Sequence, residues 1–124
     1  MNDVILPRIL SSTGTFIGRA NGRDYHLIPQ IAGSTACDGF ELMLLEDWSE
    51  RLPAVCDFLL ASGFLPETVH LEKNIGVLLS AGTEKCAEEA LEIFRRDIVA
   101  ASRLGARLAV LHFWGGRLSD YHID

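Results

Sequence analysis

Short apolar runs alternate with amphipathic stretches along this chain, and glycines punctuate the joins. Residues 1–13 form a lead-in without a clear period, and Gly14-Thr15-Phe16-Ile17-Gly18 predicts a short first strand. Asn21-Gly22 marks a turn, and Asp24 caps a helix from about Tyr25 to Gly33, with Pro29 near its first turn. Gly39 to Leu45 is nearly continuous in apolar character, as a strand covered on both faces requires, with Glu41 the exception. After the loop Glu46-Asp47-Trp48-Ser49, the 3-4 spacing of Leu52, Val55, Cys56, Leu59 and Leu60 predicts a second helix. Pro53 suits its first turn and Gly63 its end.

Thr68-Val69-His70-Leu71 predicts the third strand, followed by a loop over Glu72-Lys73-Asn74-Ile75-Gly76 and an apolar stretch to Gly82. Thr83 caps the longest helix, about Glu84 to Leu104, with an apolar stripe of Ala87, Leu91, Phe94, Ile98, Ala101 and Leu104. Glu88, Glu92, Arg95, Arg96 and Arg103 fall largely outside the stripe, and Gly105 closes the helix. Arg107 to Phe113 predicts the fourth strand. The order β-α-β-α-β-α-β argues for parallel strands joined by right-handed crossovers, an α/β fold. Four strands in 124 residues is half of a (β/α)8 barrel, which takes about 250 residues.

Composition narrows the partners. A net charge of −6, with eleven scattered basic residues, argues against nucleic acid, because binding phosphate backbones needs clustered Lys and Arg. No apolar run reaches the ~20 residues of a membrane span, and the start Met1-Asn2-Asp3 does not read as a signal peptide. Cys37, Cys56 and Cys86 match no zinc spacing and fit a reducing, cytoplasmic setting, with Cys56 acting as a small core hydrophobe.

Three polar residues stand out on strands that should carry few: Glu41, His70 and His112. Each sits toward the C-terminal half of its strand, the edge where parallel sheets bind ligands. Two imidazoles at one level can ligate a divalent metal, or exchange hydrogen bonds with a sugar hydroxyl or carbonyl. Singly, each histidine also reads as a hydrogen-bonded core residue, and Glu41 as the ion-pair partner of Arg19. Trp114-Gly115-Gly116 offers a ring for stacking on a sugar face beside open backbone. Lys73 and Arg117 are candidate anion contacts or plain surface charges, and Trp48 either walls the mouth or packs under its loop. Asp120 and His122 either fold over the mouth or lie in a solvated loop where Ser119 or Asp120 caps a helix. GxGxxG, P-loop, GxSxG and HExxH patterns are absent.

Taken in order, three segments carry a family resemblance: Val69-His70-Leu71-Glu72-Lys73-Asn74-Ile75-Gly76, the helix end Ala101-Ser102-Arg103-Leu104-Gly105-Ala106, and Val110-Leu111-His112-Phe113-Trp114-Gly115-Gly116. Together they resemble the sugar phosphate isomerase/epimerase group of the xylose isomerase-like TIM barrels, which also include AP-endonuclease-type enzymes. Gly39-Phe40-Glu41-Leu42-Met43 looks like that family's second strand, and the likeness runs from about residue 14 to 122. It implies that residues 1–124 are the N-terminal portion of a (β/α)8 barrel, a partial (half) TIM barrel of about four parallel strands. The implied activity is metal-dependent proton transfer on a sugar or sugar phosphate, at the carbon next to a carbonyl. The metal would be divalent (Mn, Zn, Mg or Co), held mainly by acidic and histidine residues of later strands beyond Asp124, so that this chain alone would be inactive. Glu41, His70, Lys73, His112, Trp114 and Asp120 fall at substrate-pocket positions, and in the endonuclease-type relatives His70 and His112 match metal ligands.

Two other readings stand beside this one. A half barrel exposes two strand edges, which suits a non-catalytic interaction module that self-associates or takes a second chain to complete the barrel. An AP-endonuclease-type, metal-dependent phosphodiesterase is the other, against which the acidic balance speaks.

Overall fold

The computed structural model describes residues 5–114. Its centre is a four-stranded sheet of β1 (Leu10–Ser12), β2 (Gly39–Met43), β3 (Thr68–His70) and β4 (Leu108–Val110), in the spatial order β1-β2-β3-β4. Every pairing is parallel. The helices are α1 (Ile28–Gly33), α2 (Leu52–Ala61), α3 (Asn74–Ser80) and α4 (Glu84–Arg103). Because strand order follows chain order, right-handed crossovers place every helix on one face of the sheet, whereas a doubly wound sheet reverses direction at a switch point. The fold is α/β and consistent with a partial barrel.

Side-chain parity separates the two faces. Leu42 pairs with Val69 in register; both are fully buried and belong to the core with Ile28, Val55, Cys56, Leu59 and Leu104. Cys56 lies inside α2 as a small hydrophobe, and burial pushes its thiol pKa up. Ser12, Glu41, Thr68 and Leu108 share one row of the opposite face, and Met43, His70 and Val110 share the next row toward the C-terminal edge. At the two flanks the apolar surface is open: Ile5 and Leu6 are 91% and 76% exposed beyond β1, and Leu108 is 68% exposed on β4.

The first strand is not where the residue pattern placed it. It spans Leu10–Ser12, inside the supposed lead-in, and Thr13–Thr15 turn into a 3-10 segment. The Ser12 side chain accepts from Gly14 N–H, and the Thr13 hydroxyl accepts the Met43 N–H of β2 at 2.9 Å. Hydroxyls that compete with the ladder in this way end the strand early. The predicted helix over 25–33 begins as a 3-10 turn, Tyr25–Leu27, capped by Asp24, and becomes α1 with Pro29 in its first turn. Glu46–Arg51 is a 3-10 segment rather than a loop, and Asn74–Ser80 is helical where loop and apolar stretch were expected.

The α4 boundaries agree with expectation, but its inward face is turned. Ala90, Asp97, Ala100 and Ala101 are buried, while Ala87, Leu91 and Ile98 are exposed. A carboxylate at the centre of the buried face hides that face from a purely apolar count. Gly63 and Gly105 follow α2 and α4 with φ of +75° and +73°, the left-handed geometry that stops a helix. At the other end of α4 the Thr83 hydroxyl accepts the Cys86 N–H at 3.2 Å. Thr83→Ala is expected to cost about 1 kcal/mol, read as a lower urea midpoint at unchanged slope.

Candidate functional site

The C-terminal edge of the sheet is built by the residues that follow β2, β3 and β4. His70 ends β3 and is 7% exposed; His112 lies two residues past β4 and is exposed. The parallel register of β3 with β4 brings the two rings together, with Nε2 to Nε2 at 2.8 Å and centroids 4.5 Å apart. His70 Nδ1 lies 2.9 Å from the Leu71 carbonyl oxygen. A carbonyl only accepts, so Nδ1 carries the hydrogen and the neutral ring has a bare Nε2 lone pair. His112 Nε2–H therefore donates to His70 Nε2.

The electrostatics favour that neutral form. Burial lowers the His70 pKa below the usual 6.5 and is the largest cause, opposed by the bond to Leu71. The charge of His112 lowers it further, Glu41 raises it and Lys73 lowers it. Glu41 and Lys73 thus act electrically on the histidine expected to share their site. None of the ion pairs among the described residues joins Glu41 to Arg19. Trp114 is about half exposed at the same edge. Asp120, His122, Ser119, Arg117 and the Gly115-Gly116 pair lie outside the described residues.

Trp48 does not wall the mouth. It is buried beneath the segment after β2, donates through Nε1–H to the Arg23 carbonyl at 2.8 Å, and meets Tyr25 edge-on. The expected metal set is also incomplete here. Among the described residues, no group of three or more His, Cys, Asp or Glu side chains is arranged to hold a metal ion. A catalytic zinc takes three protein ligands and a water, and the imidazole pair supplies two nitrogens.

Beside this pair lies a buried charge cluster that the residue pattern did not reveal. Asp97 on α4 accepts the Glu72 N–H at 2.8 Å, clamping the segment after β3 onto α4. The Glu72 carboxylate is buried and takes bonds from Arg96 at 2.8 Å and from the Ser49 hydroxyl at 2.9 Å. Burial, above all, raises the pKa of both carboxyls, while hydrogen bonds and Arg96 pull them back. A polar residue at the centre of α4's inward face was the available signal, since buried carboxylates need partners.

No family model, curated protein or solved structure matches the chain.

Proposed function

We propose that the chain is a sugar- or sugar phosphate-binding barrel portion of the isomerase/epimerase kind, in which His70 and His112 face the substrate and move a proton. One observation carries this reading: a neutral imidazole whose unprotonated Nε2, at a strand's C-terminal end, accepts from a second imidazole at 2.8 Å, which pairs a base with a donor. When substrate displaces the His112 N–H from His70 Nε2, that nitrogen accepts a proton from the carbon next to a carbonyl, and the released His112 N–H steadies the oxygen where charge develops. Glu41 favours the protonated ring that follows, since its charge raises the His70 pKa. Lys73 supplies charge for a phosphate, and the Trp114 ring offers a face for sugar C–H groups. His70 and His112 would supply two nitrogens to a divalent ion, whose remaining ligands would lie beyond the described residues. Three free cysteines support a cytoplasmic setting.

The test is a titration with a panel of aldose and ketose phosphates, followed by imidazole NMR. His70→Ala and His112→Ala are each expected to weaken binding at least tenfold; unchanged binding in both variants overturns the reading. A parallel Mn²⁺ and Zn²⁺ titration addresses ligation, and equal affinity in both variants removes these histidines as metal ligands.

The open flanks favour a second reading, an interaction module that closes its sheet against a second copy. Light scattering then gives a dimer mass, which Leu108→Lys on β4 reduces to that of the monomer. A monomer at high concentration removes this reading. No observation favours the phosphodiesterase.

A further inference from the structure

The imidazole pair rests on a contact made by a residue with no side chain. Gly76 lies in the first turn of α3 and is buried. A Cβ placed on it would stand 2.6 Å from the Trp114 carbonyl carbon, 2.7 Å from the Trp114 nitrogen and 2.7 Å from the His112 carbonyl oxygen. All three are main-chain atoms, so no rotamer change relieves the overlap. We propose that Gly76 is a positioning residue for the site: its bare backbone seats the 112–114 segment on α3, and that seat holds His112 against His70.

The two rings are fixed differently. His70 is buried on β3 and tied to the Leu71 carbonyl, so its position is set from its own strand. His112 is exposed, so its ring follows its main chain, and its own carbonyl is one of the atoms resting on Gly76. Leu111 packs against the core and lines an apolar groove with Ile75, Leu79 and Phe94, which keeps the segment against α3 when the seat is altered. An added methyl group therefore lifts the segment rather than releasing it. A normal carbon contact is about 3.5 Å, so Gly76→Ala demands roughly 1 Å of movement at main-chain atoms. A hydrogen bond of 2.8 Å does not survive a shift of that size at one partner.

The inference gives the proposed function its positional basis and uses that reading only for what the pair does. The experiment needs no ligand. In the native protein, ¹⁵N imidazole spectra are expected to show His70 Nε2 accepting a hydrogen bond, and a strong nuclear Overhauser contact is expected between Gly76 Hα and the Trp114 amide. In Gly76→Ala the acceptor signature disappears. Gly33→Ala, on a glycine whose Cβ would meet nothing within 4 Å, leaves both signals unchanged. An unaltered imidazole signature in Gly76→Ala overturns the inference. So does a missing Gly76–Trp114 contact in the native protein, a measurement that stands even if the variant does not fold. Sugar phosphate titration of the native protein is read separately, so failure to bind counts against the proposed function and not against the seat.

Discussion

Replacing Trp48 by alanine is expected to cost about 3–5 kcal/mol, the largest loss from any single change considered. The indole is 2% exposed, beneath the 3-10 segment that links β2 to α2. Removing it opens a cavity that Tyr25, whose ring meets the indole edge-on at 6.0 Å, cannot fill without leaving its own packing. The indole N–H also satisfies the carbonyl of Arg23, a non-glycine residue at φ +53°. Loss of that bond frees a strained turn and leaves a half-buried carbonyl without its indole donor. Trp48→Phe retains most of the packing and is expected to cost about 1–2 kcal/mol, separating the hydrogen bond from the ring. Urea unfolding followed by far-UV circular dichroism measures both without depending on indole fluorescence. A loss under 1 kcal/mol for Trp48→Ala would show that the segment is held by something else.

The second large effect is expected at Asp97. This carboxylate is fully buried in α4 and accepts the Glu72 N–H that fastens the segment after β3. Alanine removes a charge-assisted acceptor and orphans a buried donor, for a cost of roughly 2–4 kcal/mol. Asparagine still offers an oxygen to Glu72 N–H and is expected to recover at least half of that loss. The pH dependence has a definite sign. Burial raises the Asp97 pKa above 3.8, so the folded state binds the proton more tightly than the unfolded chain does. Stability contributed by this group is present at the acid end and declines as the pH rises from about 3.8 through the raised folded value. The advantage of the native protein over Asp97→Asn should accordingly shrink as the pH rises across that window. An advantage that grows instead would mean that the Arg96 pairing outweighs desolvation. Glu72, also raised by burial, is expected to show the same direction on substitution by glutamine.

What was legible in the residues, and what was not, follows from where their partners lie. Strands β2 and β3 announced themselves because Leu42 and Val69 reach the core from apolar runs, with β3 buried throughout and β2 half-buried around Leu42. Edge strand β1 did not: Leu10-Ser11-Ser12 pairs on one side only, and its Ser12 hydroxyl satisfies the next turn. The α4 helix was clear in extent from Thr83 and Gly105, which act locally; of its expected stripe Ala101 and Leu104 are buried and Phe94 half-buried, but Ala87, Leu91 and Ile98 are exposed and Asp97, whose partner lies 25 residues away, takes an inward position. The same distance conceals the Glu72–Arg96 pairing. His70 was traceable because a polar residue ending a buried strand violates the apolar rule; His112 was traced to the right edge, although it lies past β4, a mostly exposed strand. Their 2.8 Å approach depends on strand register and on Gly76, neither of which a single segment encodes.

The sheet's monotonic strand order has an evolutionary corollary. Each ladder joins units adjacent in the chain, so a unit duplicated at either flank adds a strand without breaking any existing pair. Such a sheet grows or shrinks in whole βα increments, and each increment brings one more loop to the C-terminal rim. Diversification of the rim and change in size then become a single genetic event.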